Sequence, residues 1–376
     1  MRVAQVPAPL GGLTPRRFLQ RYWQKQPLLL RQAFDGFRDI LSLPQLFALA
    51  GRDDVESRLV TRERGHWALT HGPFRRSLLR ALPAQGWTLL VQGVNLHLAE
   101  GDKLLRRFAF IPYARLDDLM VGYAAPGGGV GPHFDSYDVF LLQGKGQRRW
   151  RISQQRDLTL EPGLPIKILA RFHASQDWVL EAGDMLYLPP NCAHDGVALE
   201  ACTTYSIGFR APSAQELAIA FLDWLRDSVT LEGRYADPGL APTNEPARIG
   251  PAMLRQCAAM LERLHWPEVT IASFLGCFLT EPKPMVFFVP PTRPLSSRAF
   301  AAAVARRGVR LDARTQMLYD ARNLYINGDM ASLPASCAVA LKRLANRRRL
   351  AATDANGAAL LDILHRWYGN GFLHLD

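Results

Sequence analysis

Apolar and polar residues alternate along much of the chain up to Phe209 and follow a helical repeat after it. Segments such as Val55–Thr70, Trp87–Gln92 and Met185–Leu188 have the pattern of half-buried or fully buried β-strands. Beyond Ser213 apolar side chains recur every three to four residues, which is typical of an amphipathic helix. The pattern predicts a sheet-rich first part and a helical continuation.

Helices beside an extra sheet edge are predicted for the N-terminal part. Thr14 and Pro15 match an N-cap followed by proline at the first helical position. No obvious set of ligands occurs in this part. The other predicted elements are a strand at Leu28–Leu30, a helix at Ser42–Ala50, two strands within Val55–Thr70, a strand at Trp87–Gln92 and a helix at Asp102–Phe108.

The helical part begins with a capping box at Ser213–Glu216 and continues, after a linker at Tyr235–Pro251, into a second helix at Met253–Leu264. Its apolar stripes either pack on their own domain or form a contact between two copies of the chain. The stripe of the first helix consists of Leu217, Phe221, Trp224 and Leu225.

Helices followed by a hairpin predict a winged-helix domain at the C-terminal end. Asn327-Gly328 is the expected turn of the hairpin. The predicted elements are a strand at Met285–Val289, a helix at Ser297–Arg307, a hairpin at Tyr319–Met330 and helices near Leu333–Leu344 and Leu360–Tyr368.

Composition fits a globular protein of two or three domains, because 376 residues are 48% hydrophobic and 21% charged. Met1–Leu13 lacks the apolar segment of a signal peptide, and no run of about 18 apolar residues occurs. We therefore expect a cytoplasmic protein. The 5 cysteines have no C-x-x-C spacing, which favours reduced thiols over disulfides or a zinc site.

The net charge of +11 favours association with a polyanion such as ribosomal RNA. The same charge is consistent with an ordinary soluble surface, or with a GC-rich genome that has enriched arginine in the protein. The basic run Arg343–Arg349 is open to similar readings, since it could meet nucleic acid or an acidic protein face. A solvated surface is the interpretation we favour for it.

His133 and Asp135 are candidate metal ligands. Two residues apart on a strand, they would point to the same face, and His194 follows after enough chain to cross a small barrel and return. Two histidines and a carboxylate form a facial triad, which binds Fe(II) and leaves positions open for a cosubstrate and dioxygen. Isolated His-x-Asp pairs also occur without a metal.

The residues around these candidates favour the metal site. Four glycines within 127–131 precede His133, and a backbone without Cβ atoms can approach a ligand closely. Two prolines follow the strand Met185–Leu188 shortly before His194, which presents that histidine at a rim.

Arg148 is predicted to lie on a buried strand face. In Gln147–Ile152 a period of two places it with Trp150 and Ile152, whereas Arg149 and Arg151 share the other face. Because burying an unpaired guanidinium is costly, an inward arginine implies an anionic partner, and its planar fork suits a carboxylate. An ion pair within the core, or a side chain that reaches solvent, is the alternative.

His133-Phe134-Asp135, the preceding glycines, Arg148 and the segment PPNCAHDG around His194 together resemble the JmjC-type 2-oxoglutarate oxygenases. The string DDLMVGYAAPGGGVGPHFDSYDVFLLQGKGQRRWRI, which begins at Asp117, resembles bacterial ribosomal oxygenases that hydroxylate C3 of an arginine in the sixteenth large-subunit ribosomal protein. The resemblance implies an α+β fold with a double-stranded β-helix of the jelly-roll, cupin type. It further implies Fe(II) on His133, Asp135 and His194, with the distal carboxylate of 2-oxoglutarate on Arg148.

Asp118, Met120 and Gly122 alternate on one face of the strand before the glycines, and the opposite face is the better core stripe. Exposed to solvent, Asp118 and Met120 would be unremarkable. Facing the metal site, they would form a cleft for an arginine side chain together with Tyr137, and the resemblance supports such a cleft. Gly122 is assigned to cosubstrate binding.

These observations lead to a division into a catalytic domain at 1–212, a helical dimerisation segment at 213–281 and a winged-helix-like domain at 282–376. The expected function is Fe(II)- and 2-oxoglutarate-dependent hydroxylation of a ribosomal protein by a homodimer. A JmjC-type hydroxylase or demethylase of another protein residue, or a non-catalytic ribosome- or RNA-binding module, is the alternative.

Overall fold

A computed structural model describes residues 8–376 of the chain. The first seven residues, which belong to the stretch examined for a signal peptide, lie outside the described residues. Within the described range every helix is too short or too polar to cross a lipid bilayer. The chain forms two compact units, one made of the chain up to Ala211 with Pro282–Thr315 and Val339–Asp376, the other of Pro212–Glu281 and Gln316–Ala338.

The N-terminal part forms the elements that its pattern predicts, together with a short helix at Arg76–Arg80 and a 3₁₀ turn that the pattern did not predict. Thr14 caps the first helix, since its hydroxyl accepts a hydrogen bond from Arg17 N at 3.3 Å. The elements are α1 (Pro15–Arg21), β1 (Leu28–Leu30), α2 (Leu43–Ala50), β2 (Ser57–Glu63), β3 (His66–His71), α3 (Arg76–Arg80), β4 (Trp87–Val91), a 3₁₀ turn (Val94–Leu96) and α4 (Ala99–Arg106).

Two antiparallel sheets form the centre of the first unit. The larger has eight strands in the order β1-β9-β6-β11-β5-β4-β2-β3, and the smaller has the order β10-β7-β8. Their remaining strands are β5 (Leu116–Ala124), β6 (Val139–Gln143), β7 (Arg148–Ser153), β8 (Gln176–Leu180), β9 (Met185–Leu188), β10 (Ala193–Ala198) and β11 (Cys202–Phe209).

Alternate residues of the large sheet enter two separate cores. On β6, Phe140 packs with Phe18 of α1, with ring centroids 5.3 Å apart, in the core between the sheet and the N-terminal helices. Leu141 points the other way and joins Trp150 and Ile152 of the small sheet in a second apolar cluster. The two sheets therefore face each other, as a double-stranded β-helix requires, and leave a cavity between them.

The second unit combines three helices with the hairpin. α5 begins with the predicted capping box of Ser213 and Glu216, and Phe221 on it packs 5.1 Å from Phe274 of α7. The turn at Asn327-Gly328 is confirmed, since both residues have positive φ. Its elements are α5 (Ala214–Ser228), α6 (Pro251–Leu261), the unpredicted α7 (Glu268–Thr280), β13 (Met317–Tyr319), β14 (Asn323–Ile326) and β15 (Asp329–Ser332).

The C-terminal residues of the first unit form three helices and a small sheet with the order β16-β12-β17. The predicted strand Met285–Val289 is wrong, because this proline-flanked segment forms a turn and irregular chain without a partner strand among the described residues. The elements are α8 (Ser297–Arg307), β12 (Val309–Leu311), α9 (Ala338–Arg347), β16 (Arg349–Leu350), a 3₁₀ turn (Ala352–Asp354), α10 (Ala358–Gly369) and β17 (Leu373–Leu375).

The basic run Arg343–Arg349 is in part the solvated surface that we favoured, because Arg347 and Arg349 are exposed, whereas Arg348 is not. Arg348 is buried and donates to the carbonyl oxygens of Asp312 and Thr315 at 2.6 and 2.8 Å. Arg343 pairs with Asp354, and Arg349 pairs with Asp376. Most of the run thus binds its own fold.

Candidate metal centre

His133, Asp135 and His194 converge at one end of the cavity. One ligand atom from each lies within 4.8 Å of the others, and no second such group of His, Cys, Asp or Glu occurs in residues 8–376. His194 is the second residue of β10, as expected for a ligand at a rim. The strand predicted for His133 and Asp135 is wrong, because both lie in irregular chain between β5 and β6, where His133 forms only an isolated bridge.

Backbone carbonyls orient both imidazoles. His133 Nδ1 lies 2.9 Å from the carbonyl oxygen of Gly131, and His194 Nδ1 lies 2.9 Å from that of Cys192. A carbonyl accepts only from a protonated nitrogen, so Nε2 of each ring keeps its lone pair for a metal. Burial lowers the pKa of His194 to about 4, with the neighbouring His133 adding to the effect, so this ring is neutral at neutral pH.

The glycine segment lets the backbone approach the site closely, as predicted. Gly131 has a φ of +74°, and a Cβ atom there would lie 2.4 Å from Ile168 Cδ1. At Gly129 a Cβ atom would lie 2.6 Å from the carbonyl oxygen of Gly196 on β10. A larger residue at Gly129 would push the loop away from β10, and one at Gly131 would be strained by the positive φ.

Arg148 lies on the buried face of β7, as the period of two predicts. It is only 4% exposed, whereas Arg149 is exposed and pairs with Asp177. Arg148 donates to Thr204 Oγ1 at 3.3 Å and to the Gly196 carbonyl at 3.1 Å, and its guanidinium lies over the Trp150 ring at 4.9 Å.

No carboxylate among residues 8–376 forms an ion pair with Arg148, although Asp195 raises its pKa from a longer distance. Within the same residues its Nε is a buried atom without a hydrogen-bond partner, and the acceptors of the other nitrogens are neutral. Burial lowers the pKa of the guanidinium but leaves it a cation at neutral pH. A buried cation with neutral partners is costly, and a carboxylate ligand in the adjoining cavity would compensate it.

The cavity between the sheets has a volume of about 530 Å³ and brings together all the predicted site residues. Gly122 on β5 is paired with Thr204 on β11, whose hydroxyl accepts from Arg148, and a Cβ atom at Gly122 would lie 3.2 Å from Leu90 Cδ2. The residues that line the cavity include His133, Asp135, His194, Arg148, Gly122, Asp118, Met120 and Tyr137.

Asp118 is a buried carboxylate at the wall of this cavity. It is 4% exposed and accepts a hydrogen bond from Gly93 N at 3.0 Å. Burial raises its pKa to about 6, although Lys283 and the two hydrogen bonds from Gly93 and Gln92 act in the opposite direction. The residue is therefore ionised at neutral pH at a cost in free energy, which a bound cation would offset.

Tyr137 connects the cavity wall to the metal ligands. Burial raises the pKa of its phenol, and a hydrogen bond with Asp135 raises it further, so the hydroxyl stays protonated. The ring is 39% exposed and lines the same cavity as Met120. A flat apolar side chain and a thioether beside a buried carboxylate match the surroundings that a guanidinium prefers.

Sequence reasoning missed several residues of the cavity. Thr204 had a weak signal, because it lies on a strand of alternating pattern. Arg58, Gln92 and Lys167 had none, since they come from β2, from the end of β4 and from the loop before β8.

Comparison with known proteins supports this geometry. A model of the JmjC domain matches residues 103–217, and a model of the ROXA-like winged helix matches residues 259–374. The chain is 39% identical over 279 residues to ribosomal protein uL16 3-hydroxylase of Escherichia coli (strain K12), with 74% of each chain covered. It is 38% identical over 209 residues to a probable ribosomal oxygenase of Haemophilus influenzae, with 54% of this chain and 52% of that protein covered.

A solved structure extends the similarity to almost the whole chain. YcfD, a ribosomal oxygenase from Escherichia coli, in complex with cobalt and 2-oxoglutarate, superimposes with a TM-score of 0.84 at 34% identity. The match covers 97% of this chain and 99% of that one. The predicted α+β class, with a JmjC-type sheet domain and a C-terminal winged helix, is thereby confirmed.

Proposed function

The chain belongs to the JmjC-domain ribosomal oxygenases, and we propose that it hydroxylates C3 of an arginine in the large-subunit ribosomal protein uL16. It is an Fe(II)- and 2-oxoglutarate-dependent oxygenase. The uL16 3-hydroxylase relative supports the substrate protein, and the buried Asp118 supports arginine as the residue.

His133, Asp135 and His194 hold Fe(II) in this proposal. Two neutral imidazole nitrogens and one carboxylate match the ligands that Fe(II) takes in this class of site, and three protein ligands leave room for other ligands. The bound iron, with 2-oxoglutarate and dioxygen, supplies the oxidising chemistry. The protein itself orients the ligands through the carbonyls of Gly131 and Cys192.

Arg148 binds the distal carboxylate of 2-oxoglutarate in the same proposal. Its buried guanidinium has neutral partners only, and a dicarboxylate that reaches from the metal centre would supply the missing anion. Thr204 accepts a hydrogen bond from the guanidinium, and Gly122 lies opposite Thr204 on the neighbouring strand. Trp150 covers one face of the guanidinium and excludes water.

The substrate arginine then enters beside Asp118, Met120 and Tyr137. The single observation that carries this assignment is a buried, ionised carboxylate in the same cavity as the metal ligands. A guanidinium bound there would be desolvated, and a charge-assisted hydrogen bond to Asp118 would compensate it.

The test is mass spectrometry of a uL16 fragment after incubation with enzyme, Fe(II) and 2-oxoglutarate. We expect a gain of one oxygen on one arginine, and none on a fragment in which that arginine is lysine. Hydroxylation of lysine or histidine instead would contradict the proposal and favour another JmjC-type activity.

We also propose that the chain is a homodimer through the helices of the second unit. More than half of the exposed large hydrophobic side chains in the described residues lie in 212–281. On α5, Ile219 and Leu222 are 53% and 60% exposed, on a face other than the stripe of Phe221. A monomer would leave this apolar area in water.

A contact with ribosomal RNA is proposed for the C-terminal region. Residues 282–376 hold 14 of the 45 basic residues but only 6 of the 34 acidic ones. On the exposed face of the sheet β16-β12-β17, Arg310 lies directly opposite Arg349 on one side and His374 on the other. Arg349 and His374 are paired with Asp376 and Asp312, whereas Arg310 has no carboxylate partner among the described residues, and a phosphate group would supply an anion for it.

A further inference from the structure

Polar side chains form a row along one wall of the cavity from Arg58 through Gln92 to Asp118. Arg58 Nη2 donates to Gln92 Oε1 at 3.3 Å and lies 3.8 Å from Met120 Sδ. The Gln92 amide also acts on Asp118 as a side-chain donor, which lowers the pKa of the Asp118 carboxyl. The neighbouring strands β2, β4 and β5 bring these side chains into a row.

Donor and acceptor chemistry sets the orientation of the Gln92 amide. A guanidinium only donates hydrogen bonds, so Arg58 requires the amide oxygen. A carboxylate only accepts them, so Asp118 requires the NH₂ group. Both requirements are met by one orientation of the amide.

We propose that Arg58 and Gln92 are positioning residues for Asp118, which keep its carboxylate charged and aimed at the guanidinium of the substrate. The inference rests on the proposed arginine hydroxylation and deepens it. The amide links a cation to an anion without neutralising the anion. A direct ion pair with Arg58 would instead occupy the carboxylate that has to receive the substrate.

The contacts of Asp118 agree with this role. In the described residues the hydrogen bonds that it accepts come from neutral groups, Gly93 N and the Gln92 amide. The neighbouring Asp117 takes the nearby cations, with Lys283 at 2.9 Å and Arg210 at 3.4 Å. Asp118 Oδ1 lies 3.5 Å from where a Cβ atom of Gly208 would be, so the glycine leaves that side uncrowded.

Other charged groups near Asp118 shift its pKa, some upward and some downward. After burial, which raises the pKa of Asp118, the largest influence is Lys283, which lowers it, and Asp117 raises it. Arg58 and Asp118 act in opposite directions on the pKa of Tyr137 in the same cavity. The hydrogen bond from Gln92 favours the charged form of Asp118, so its removal should raise the pKa of Asp118.

The experiment measures the Asp118 carboxyl titration by NMR in protein labelled with ¹³C-aspartate, with the signal assigned from Asp118→Asn. Gln92→Met keeps the length of the side chain but removes the donor, and we expect the pKa of Asp118 to rise by about one unit. Arg58→Met frees the Gln92 amide to rotate, so it should raise the pKa of Asp118 by a smaller amount. Gln147→Met is the matched control, because Gln147 donates to Glu181 at 2.9 Å on the exposed surface.

Kinetics supply the second readout. In Gln92→Met the acidic limb of the pH profile of kcat/KM for a uL16 peptide should shift to higher pH by the same amount as the pKa of Asp118. The half-saturating 2-oxoglutarate concentration should stay unchanged. If the pKa of Asp118 is unchanged or lowered in both Gln92→Met and Arg58→Met, the proposed positioning role of Arg58 and Gln92 is wrong. If the unmutated enzyme hydroxylates no arginine, the proposed function is wrong instead. The NMR titration would still test whether Gln92 and Arg58 act on Asp118.

Discussion

The backbones of His133 and His194 form an isolated antiparallel bridge. The N–H of His133 donates to the carbonyl of His194 at 2.9 Å, and the N–H of His194 donates back at 2.8 Å. The bridge brings the two rings to a centroid distance of 4.2 Å. Because the backbone makes this contact, a side chain can be removed from the site without breaking it.

His133→Ala and Asp135→Ala should abolish turnover of 2-oxoglutarate while the fold persists, because two ligands hold iron too weakly. Succinate release under saturating Fe(II) measures the effect, and circular dichroism checks the fold. His173→Ala is the control, since His173 is an exposed histidine outside the cavity. Wild-type succinate release from either ligand variant would refute the metal assignment.

Arg148→Ala should raise the half-saturating 2-oxoglutarate concentration by at least about tenfold, because a charge-assisted contact in a dry pocket contributes about 1.5–3 kcal/mol. Arg148→Lys should restore part of the affinity. Arg149→Ala should change it little, as Arg149 is exposed and bonded to Asp177. A large shift for Arg149→Ala with none for Arg148→Ala would contradict the pocket.

Asp118→Asn should stabilise the protein and abolish hydroxylation of uL16. The folded-state pKa of Asp118 is raised to about 6, so the carboxyl costs stability at neutral pH, and that cost disappears as pH falls from about 6 towards its ordinary value near 4. Unfolding in urea at pH 7.5 should show a gain on the order of 1–3 kcal/mol. A loss of stability would show that native contacts outweigh the burial of the charge.

Ile219→Glu with Leu222→Glu should convert a dimer into a monomer by placing charges on an apolar two-fold contact. The stripe originally predicted for this contact is less suitable, because Phe221 packs inside its own unit against Phe274. Light scattering decides the matter, with Asp362→Lys as the control, because Asp362 is exposed on α10 outside the second unit. If the unmutated protein is monomeric at micromolar concentration, the dimer is refuted.

Arg310→Ala should weaken binding of ribosomal RNA and reduce the slope of log affinity against log salt by about one. Arg149→Ala is again a suitable control, because it removes an arginine that is already paired. Fluorescence anisotropy with a labelled RNA fragment at several salt concentrations measures both. Equal slopes in all three proteins would show that the sheet face meets no phosphate.

Local features of the chain determined much of the architecture. The period of two placed Arg148 on a buried face and Arg149 on an exposed one, because successive side chains of a strand point to opposite sides whatever the strand pairs with. The cap at Thr14, the capping box at Ser213 and the turn at Asn327 were equally readable, since each involves bonds within a few residues.

Tertiary structure decided the features that need a distant partner. Met285–Val289 has the composition of a strand, but a strand exists only when another accepts its hydrogen bonds, and here none does among the described residues. Arg348 belongs to a charge run that resembles a surface, yet three carbonyl oxygens from another segment bury it. Neither outcome has a local signal.

The cavity wall shows the same division. Asp118 and Met120 could be placed on one strand face, but whether that face met solvent or a cavity depended on which strands lay beside it. Arg58 and Gln92 join Asp118 only because the sheet order β2-β4-β5 makes neighbours of distant segments. The sequence specifies which side of each strand a residue occupies, and the pairing of the strands determines what that residue meets.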